Sequence, residues 1–595
     1  MKALIQNFFL LLLISSCSSL FERNTDRDFQ VETNAGTIIG IDEGDHYSFK
    51  GIPYAKPPVG DLRWRAPRDL LRSDEPIYAI DYNSSCVQPG DGSLSLGSSG
   101  KVYSGNEDCL YLNVFVPQNE TKFEKNNFPV MFWIHGGANI FGAGSQYDFS
   151  ALATSQQVII VTMNYRLGIF GWFTSNHLRD TSEGLDKSSN FGQLDIIKAL
   201  EWVKSNIDYF GGDSSNVTIF GESAGGHNAL TLLASPLSKG LFHRAISQSG
   251  YVESFPIKFA EKDSLLSSEK LFEEDIKFLI DSEEIAEKLR EVSAEEIFTR
   301  IAKIREENIW AKMPLTTRDG IVVPKKGIYS GLRNVDPDIV VVAGTNKDEL
   351  NLYYIDSDYF YDTTLELSKS LKRSEENLKS WNEYRSEIWR FRGAEEPLRV
   401  MSENNNNLYS YRFDWDEQLN SNILGNYQLF VGAAHFMEIP FVSGKFDYGP
   451  INFVLKPIIF PSESTEGRLA LSELMMKYWS NIAKYGDPNA FNDGPKWEKF
   501  TKEKQQYLTL DNPINNKLSM VEEPVDINLL LTEVESNSSL EIAERCVIGW
   551  IAANDTNELK QAHSLDQLQD PPYNFCSNFE NEYLLKLLNE TIGRD

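Results

Sequence analysis

Val217-Thr218-Ile219-Phe220-Gly221-Glu222-Ser223-Ala224-Gly225-Gly226 is the stretch that decides the fold. Its first four residues are β-branched or aromatic, as in a buried strand, and a helix-forming run follows the glycines. A serine flanked by glycine two residues to either side, between strand and helix, marks a very tight turn. Bulky side chains cannot be accommodated at the flanking positions, so glycines stand there and the hydroxyl projects alone. The four-residue spacing of the glycines carries little weight by itself; the strand before and the helix after give it meaning.

Outward from this turn, short apolar runs alternate with longer periodic ones between residues 30 and 220, which predicts a largely parallel sheet wound with helices. Residues 128–134 and 157–162 read as buried strands. Residues 194–210 read as a helix, with Ile196, Ile197, Leu200, Val203 and Ile207 on one stripe and Gly211-Gly212 as its stop. Beyond the serine, 339–342 and 408–413 are the clearest strands. The charged stretches 260–307 and 365–392 have helical periodicity and read as helices capping the sheet. After Glu522 no strand is expected, and helices are predicted over 540–550 and 580–588. The fold class is therefore α/β, with a mostly parallel central sheet, helices on both faces and a helical cap region. The expected division is a signal peptide over 1–16, a linker over 17–29, one catalytic domain over 30–525 and a C-terminal helical extension over 526–595.

The 595 residues are 41% hydrophobic and 12% aromatic, ample for a large buried core. A net charge of −29, from 86 acidic against 57 basic residues, excludes nucleic acid as an expected partner. Lys2, a short apolar core over 8–14 and then Ile14-Ser15-Ser16-Cys17 form an export signal too short to span a bilayer. The aliphatic-small-small-Cys ending resembles the lipobox of bacterial lipoproteins, which implies a lipid on Cys17, membrane anchoring and, with Ser18 next, the outer membrane. An exported protein on the periplasmic or extracellular face is expected. Removing Cys17 from five cysteines leaves Cys86, Cys109, Cys546 and Cys576, an even set that two disulfides would absorb. Composition does not speak to oligomeric state.

A serine hydroxyl is a weak nucleophile at neutral pH and needs a base, a group to orient that base, and donors for the developing oxyanion. The turn resembles the nucleophile elbow of α/β hydrolases, which implies the chain order serine, acid, histidine. Of seven histidines, His46, His135 and His177 precede Ser223, while His227 and His243 follow too closely for an acid-bearing strand to intervene. His563 lies in a polar tail; His435, after the 408–413 strand, is the base. The acid belongs at the end of the 339–342 strand, where Asp348 and Glu349 both qualify by position. The small-residue turn His135-Gly136-Gly137-Ala138 after the 128–134 strand supplies oxyanion donors in the amides of Gly137 and Ala138, joined by that of Ala224. Neither metal nor cofactor is called for.

The ordered blocks along the chain add a resemblance. Phe49-Lys50-Gly51-Ile52-Pro53-Tyr54-Ala55, Leu62-Arg63-Trp64, Glu107-Asp108-Cys109-Leu110-Tyr111-Leu112-Asn113, Asn164-Tyr165-Arg166-Leu167-Gly168, Phe210-Gly211-Gly212-Asp213 and Gln248-Ser249-Gly250 join the elbow in a match from about Val31 to Asp511. The chain resembles the type-B carboxylesterases, the carboxylesterase and cholinesterase family of α/β hydrolases. The resemblance implies a serine ester hydrolase with a small-molecule ester substrate. It implies Glu349 as the acid, leaving Asp348 dispensable, and places Glu222 and Ser249 behind the triad. It also implies a Cys86–Cys109 disulfide, and Cys546 is expected to join Cys576. Leu350 after the acid and Ala138-Asn139 after the oxyanion glycines depart from the family pattern, as does Leu352 where a ring is usual. Two alternatives are a cholinesterase-like enzyme, disfavoured because no tryptophan lies between Cys86 and Cys109, and a catalytically weak binding or adhesion member, disfavoured by the complete Ser223, Glu349 and His435 set.

Overall fold

The computed structural model describes residues 27–90, 102–118, 127–307, 313–355, 357–365, 368–421, 425–447, 452–490, 494–555 and 574–591. The expected signal segment, Cys17 and His563 lie outside the described residues. One twisted sheet organises the chain. Its strands are β1 (Asp28–Thr33), β2 (Gly36–Asp42), β3 (His46–Pro53), β4 (Tyr111–Pro117), β5 (Phe128–Ile134), β6 (Ile159–Met163), β7 (Gly212–Glu222), β8 (Arg244–Gln248), β9 (Val340–Asn346), β10 (Leu408–Phe413), β11 (Tyr507–Leu510) and β12 (Ser519–Val521). The spatial order is β1-β2-β3-β4-β6-β5-β7-β8-β9-β10-β11-β12, with the short strand Ile77–Tyr78 beside β2.

From β6 to β11 every neighbouring pair is parallel. These strands are covered on both faces, and side-chain alternation divides them between two cores. Val130, Phe132 and Ile134 of β5 join one apolar cluster and Met131 and Trp133 the other, and β9 splits in the same way, with Val341 and Ala343 against Val340 and Val342. Parallel strands bring their carboxyl ends to one edge of the sheet, where the loops after β5, β7, β8 and β9 meet.

The first third departs from the parallel arrangement expected for it. β1 to β4 form an antiparallel meander, and β4 pairs antiparallel with β6. Only Asn34 and Ala35 separate β1 from β2, far too short a link for a crossover. Gly36, at φ 124°, completes that turn.

The principal helices are α1 (Phe191–Asn206), α2 (Ala224–Ala234), α3 (Glu375–Arg390), α4 (Thr465–Tyr485), α5 (Ile527–Ser536), α6 (Ile542–Asp555) and α7 (Asn581–Thr591). α1 tightens into a 3₁₀ turn over Ile207–Phe210 and stops at Gly211, whose φ of 81° fits the glycine termination read from the sequence. Helices Ser268–Ile276, Ser282–Glu291 and Ala294–Glu307 occupy the charged stretch, burying Leu271, Phe272, Ile285, Leu289 and Ile297. The second charged stretch differs from expectation. A hairpin of Tyr361–Leu365 against Ser368–Leu371 precedes α3, which begins only at the cap Ser374, whose side chain accepts from Asn377 N at 3.1 Å. α5 was not legible as a helix, although Asp526 caps it through the amides of Asn528 and Leu529.

α5, α6 and α7 share a third apolar cluster with Leu378, Trp381 and Tyr354. Disulfides join Cys86 to Cys109 and Cys546 to Cys576; the first closes a loop worth on the order of 3 kcal/mol. No helix among the described residues is long and apolar enough to cross a membrane.

The C-terminal helices are fastened to α3 by one buried carboxylate. Glu544, on α6, accepts from Tyr359 Oη at 2.7 Å, Asn377 Nδ2 at 2.9 Å, Trp381 Nε1 at 2.9 Å and the Glu541 amide. Glu544→Ala strands these donors and is expected to lower unfolding stability by about 3 kcal/mol, read by chemical denaturation. A change under about 0.5 kcal/mol would mean that water or neighbours satisfy them equally well.

Candidate active site

The elbow at the end of β7 is forced by its neighbours. A Cβ on Gly225 would be driven into the carbonyl oxygen of Ile134 at the end of β5, and one on Gly221 would sit 2.6 Å from the same atom. Ser223 adopts φ 57° and ψ −120°, a conformation that costs an ordinary residue about 1–3 kcal/mol. Hydrogen bonds on both sides hold it there: Ser223 N donates to Gln248 O of β8 at 2.8 Å, and His227 N of α2 donates to Ser223 O at 2.9 Å. Ala224 is the first residue of α2, where helix geometry leaves amides free to meet an anion.

His435 sits in the loop after the short helix Tyr427–Phe430, with its ring buried. Its Nδ1 donates to Glu349 Oε2 at 2.6 Å, because a carboxylate can only accept. That bond fixes the tautomer and leaves the Nε2 lone pair free in the neutral ring. Glu349 is wholly buried, and its Oε1 accepts from Asn346 N at 2.8 Å. Asn346 Nδ2 donates to Ala434 O at 2.7 Å and Glu438 Oε2 at 2.6 Å, tying the acid strand to the histidine loop.

Nε2 lies 3.0 Å from Glu222 Oε1, without hydrogen-bond alignment. Among the described residues no hydrogen bond joins Ser223 Oγ to this nitrogen. Three buried carboxylates, Glu222, Glu349 and Glu438, therefore surround one imidazole. Burial disfavours charge on His435, but Glu222 and Glu349 outweigh it and raise its pKa. Burial also raises Glu222, to about 8, with Glu438 and Glu349 adding to the effect against the pull of His435. A protonated Glu222 no longer favours the imidazolium, so the upward pull that persists on His435 is that of Glu349, with Glu438 adding to it.

At the third corner, Gly137 and Ala138 follow β5 at φ 94° and 55°. Among the described residues neither amide donates a hydrogen bond, and a Cβ on Gly136 would lie 3.2 Å from Ser223 Cβ, so this turn borders the serine. Ser249, at φ 47°, is buried behind the site. Its amide donates to Gly344 O at 2.8 Å, and its hydroxyl has no partner among the described residues. No cluster among the described residues is arranged to hold a metal ion.

Two neighbours of His435 were not legible from the chain. Tyr353 and Trp389 place rings 5.7 and 5.0 Å from the imidazole, and Trp389 Nε1 donates to Ser249 O and Gly250 O at 3.1 Å each. Both rings lie against the imidazole, Trp389 the nearer, whereas the Leu352 side chain beside Tyr353 is exposed. Trp389 belongs to α3, within a charged stretch whose sequence gives no sign of which residue reaches the site.

Asp348, the acid's neighbour, proves to be engaged. Its Oδ2 accepts from Ala433 N at 3.0 Å, its amide donates to Ala433 O at 3.0 Å, and its Oδ1 accepts from Asn382 Nδ2 at 2.8 Å. Asp348→Asn must face an amide hydrogen toward one of those two donors, and a roughly tenfold fall in kcat is expected, about 1.4 kcal/mol. The exchange D348N/N382D restores donor–acceptor matching and should recover most of that loss in steady-state assays. An unimpaired D348N would return Asp348 to the dispensable role read from the sequence.

The chain is similar along most of its length to known esterases. The model of the carboxylesterase family matches residues 27–387 and 356–527. The para-nitrobenzyl esterase of Bacillus subtilis is 35% identical over 501 residues, covering 81% of this chain and 95% of that protein. Human cocaine esterase is 32% identical, covering 78% and 83%. A solved thermophilic PNB esterase superposes with a TM-score of 0.66 at 30% identity, over 83% of this chain and 98% of its own. The chain belongs to the carboxylesterase family and is an enzyme of the α/β-hydrolase fold.

Proposed function

We propose that this enzyme hydrolyses carboxylic esters through a covalent acyl-enzyme on Ser223, with His435 as general base and acid and Glu349 as its orienting partner. The observation that carries the reading is the 2.6 Å bond from His435 Nδ1 to a buried Glu349, beside a serine held on a strained elbow. Ser223 Oγ attacks the ester carbonyl as Nε2 takes its proton. The oxyanion of the tetrahedral intermediate lies against the amides of Gly137, Ala138 and Ala224. The intermediate collapses, breaking the bond to the alcohol, which leaves with the proton from Nε2. Water then repeats the sequence and releases the acid. Approach of Oγ to Nε2 is required when substrate fills the site, as catalytic hydrogen bonds often tighten only then.

General carboxylesterase activity is favoured over a cholinesterase-like one, since the loop between Cys86 and Cys109 holds no tryptophan to face a quaternary ammonium. The division into a catalytic domain over 30–525 and an extension over 526–595 belongs to the same reading. Glu222 and Ser249 act behind the triad, the first by taking a proton and so limiting the negative charge beside the base. Two disulfides fit an oxidising compartment, and a lipid on Cys17 would hold the enzyme at the outer membrane.

A fluorophosphonate is expected to label Ser223, and Ser223→Ala to abolish both labelling and p-nitrophenyl acetate turnover; an unlabelled active enzyme refutes the assignment. His435 is competent only when neutral, and its pKa is raised, so activity is present above that pKa and lost as pH falls through it. The acid limb of kcat/KM should therefore lie above the roughly 6.5 of free imidazole. Glu349→Gln should lower kcat by about a thousandfold or more. A limb at or below 6.5 would contradict the charge arrangement.

For the anchor, Cys17→Ala expressed in a lipoprotein-processing bacterium should lose labelling by a clickable palmitate and leave the membrane fraction. Unchanged partitioning would point to an ordinary signal peptide.

A further inference from the structure

Asn139 stands immediately after the proposed oxyanion donors and is buried, with φ 59°. Ala138 before it has φ 55°, so two consecutive residues that are not glycine occupy the left-handed region. Asparagine tolerates that conformation; alanine is disfavoured there by about 1–2 kcal/mol. Something must hold the Ala138 amide in this orientation.

The holding group is a reciprocal pair of amides. Asn228 Nδ2 donates to Asn139 Oδ1 at 2.8 Å, and Asn139 Nδ2 returns a longer bond to Asn228 Oδ1 at 3.3 Å. Asn228 lies on α2, five residues after Ser223. Gln193 Nε2 of α1 donates to Asn228 Oδ1 at 2.7 Å, and Tyr165 Oη lies 3.2 Å from Asn139 Oδ1 and 2.7 Å from His135 O. The Asn139 carbonyl accepts from Gly168 N at 2.7 Å. All four side chains are fully buried, so loss of one amide leaves its partner without water to replace it.

We propose that Asn139 and Asn228 are positioning residues that lock the loop carrying the Gly137 and Ala138 amides to the helix carrying the nucleophile, and so fix the oxyanion donors relative to Ser223. Neither residue touches substrate. The pair acts by keeping the Ala138 amide aimed where the tetrahedral oxygen forms. The inference rests on the oxyanion assignment of the preceding subsection.

Its signature is selective loss of transition-state affinity. Asn139→Ala and Asn228→Ala should each lower kcat on p-nitrophenyl acetate by roughly tenfold to a hundredfold, with KM within about twofold. Inhibition by a trifluoromethyl ketone, whose serine adduct places an anionic oxygen in the hole, should weaken by the same factor as kcat/KM. The double variant should be little worse than either single one, because the two amides form one device. The position of the acid limb should stay unchanged, since His435 lies outside the network. Tyr165→Phe, which removes the hydroxyl shared between His135 O and Asn139 Oδ1 and keeps the ring, serves if the alanine variants do not fold; it should show a smaller parallel fall in kcat and ketone affinity. Retained ketone affinity, with or without a fall in kcat, overturns the inference. Failure of the fluorophosphonate to label the wild-type serine would instead sink the parent reading, so the two failures are separable.

Discussion

The approach of β7 to β5 at the serine is the constraint on which the rest of the structure depends. Gly221 and Gly225 both lie against the Ile134 carbonyl, where no side chain fits. That contact sets the elbow, the elbow sets φ and ψ at Ser223, and the same strand end opens the Gly136-Gly137-Ala138 turn. The conformation of Ser223 and the position of the Gly136-Gly137-Ala138 turn, the nucleophile and oxyanion loop of the proposed mechanism, are thus two products of one steric fit where β7 meets β5. The strain at Ser223 persists because β8 and α2 each hydrogen-bond its backbone, so the surrounding packing over-determines it.

Charge is handled by burial as much as by pairing. Glu349, Glu222 and Glu438 converge on a single imidazole, an arrangement in which three ionised carboxylates would repel strongly in a poorly solvated site. Glu349 is committed to Nδ1 and to the Asn346 amide, while Glu438 accepts from Asn346 Nδ2 and from Gln248 Nε2 at 3.2 Å. Burial raises the pKa of both Glu222 and Glu438, and Glu222, with the least hydrogen bonding and a pKa pushed to about 8, is the one that takes a proton more readily and so relieves the repulsion.

α3 connects the site to the far end of the chain. Asn377 and Trp381 meet Glu544 of the C-terminal helices, Asn382 reaches Asp348, and Trp389 lies on His435. One helix therefore carries contacts from the C-terminal helices to His435. The contacts follow helical spacing: Asn377, Trp381 and Ser380 face the C-terminal helices, and Asn382 and Trp389, seven residues apart, face the catalytic loops.

Residue order alone revealed the parallel core of the sheet and the strand–turn–helix at Ser223, and it singled out the loops that hold Glu349 and His435. Those features are local: a buried strand is a run of apolar residues, a steric contact demands glycine, and chain order restricts the histidines. It did not reveal the antiparallel start, although the two-residue link between β1 and β2 was there to be read, nor the hairpin before α3, whose polar residues carry weak periodicity. The contacts of Asp348 and Asn139, the rings of Tyr353 and Trp389 against His435 and the approach of Glu222 to Nε2 emerge only once the chain is folded. Each of these depends on side chains far apart in the chain meeting in a buried space, where the partner's chemistry, and not the residue's own neighbours, fixes its role.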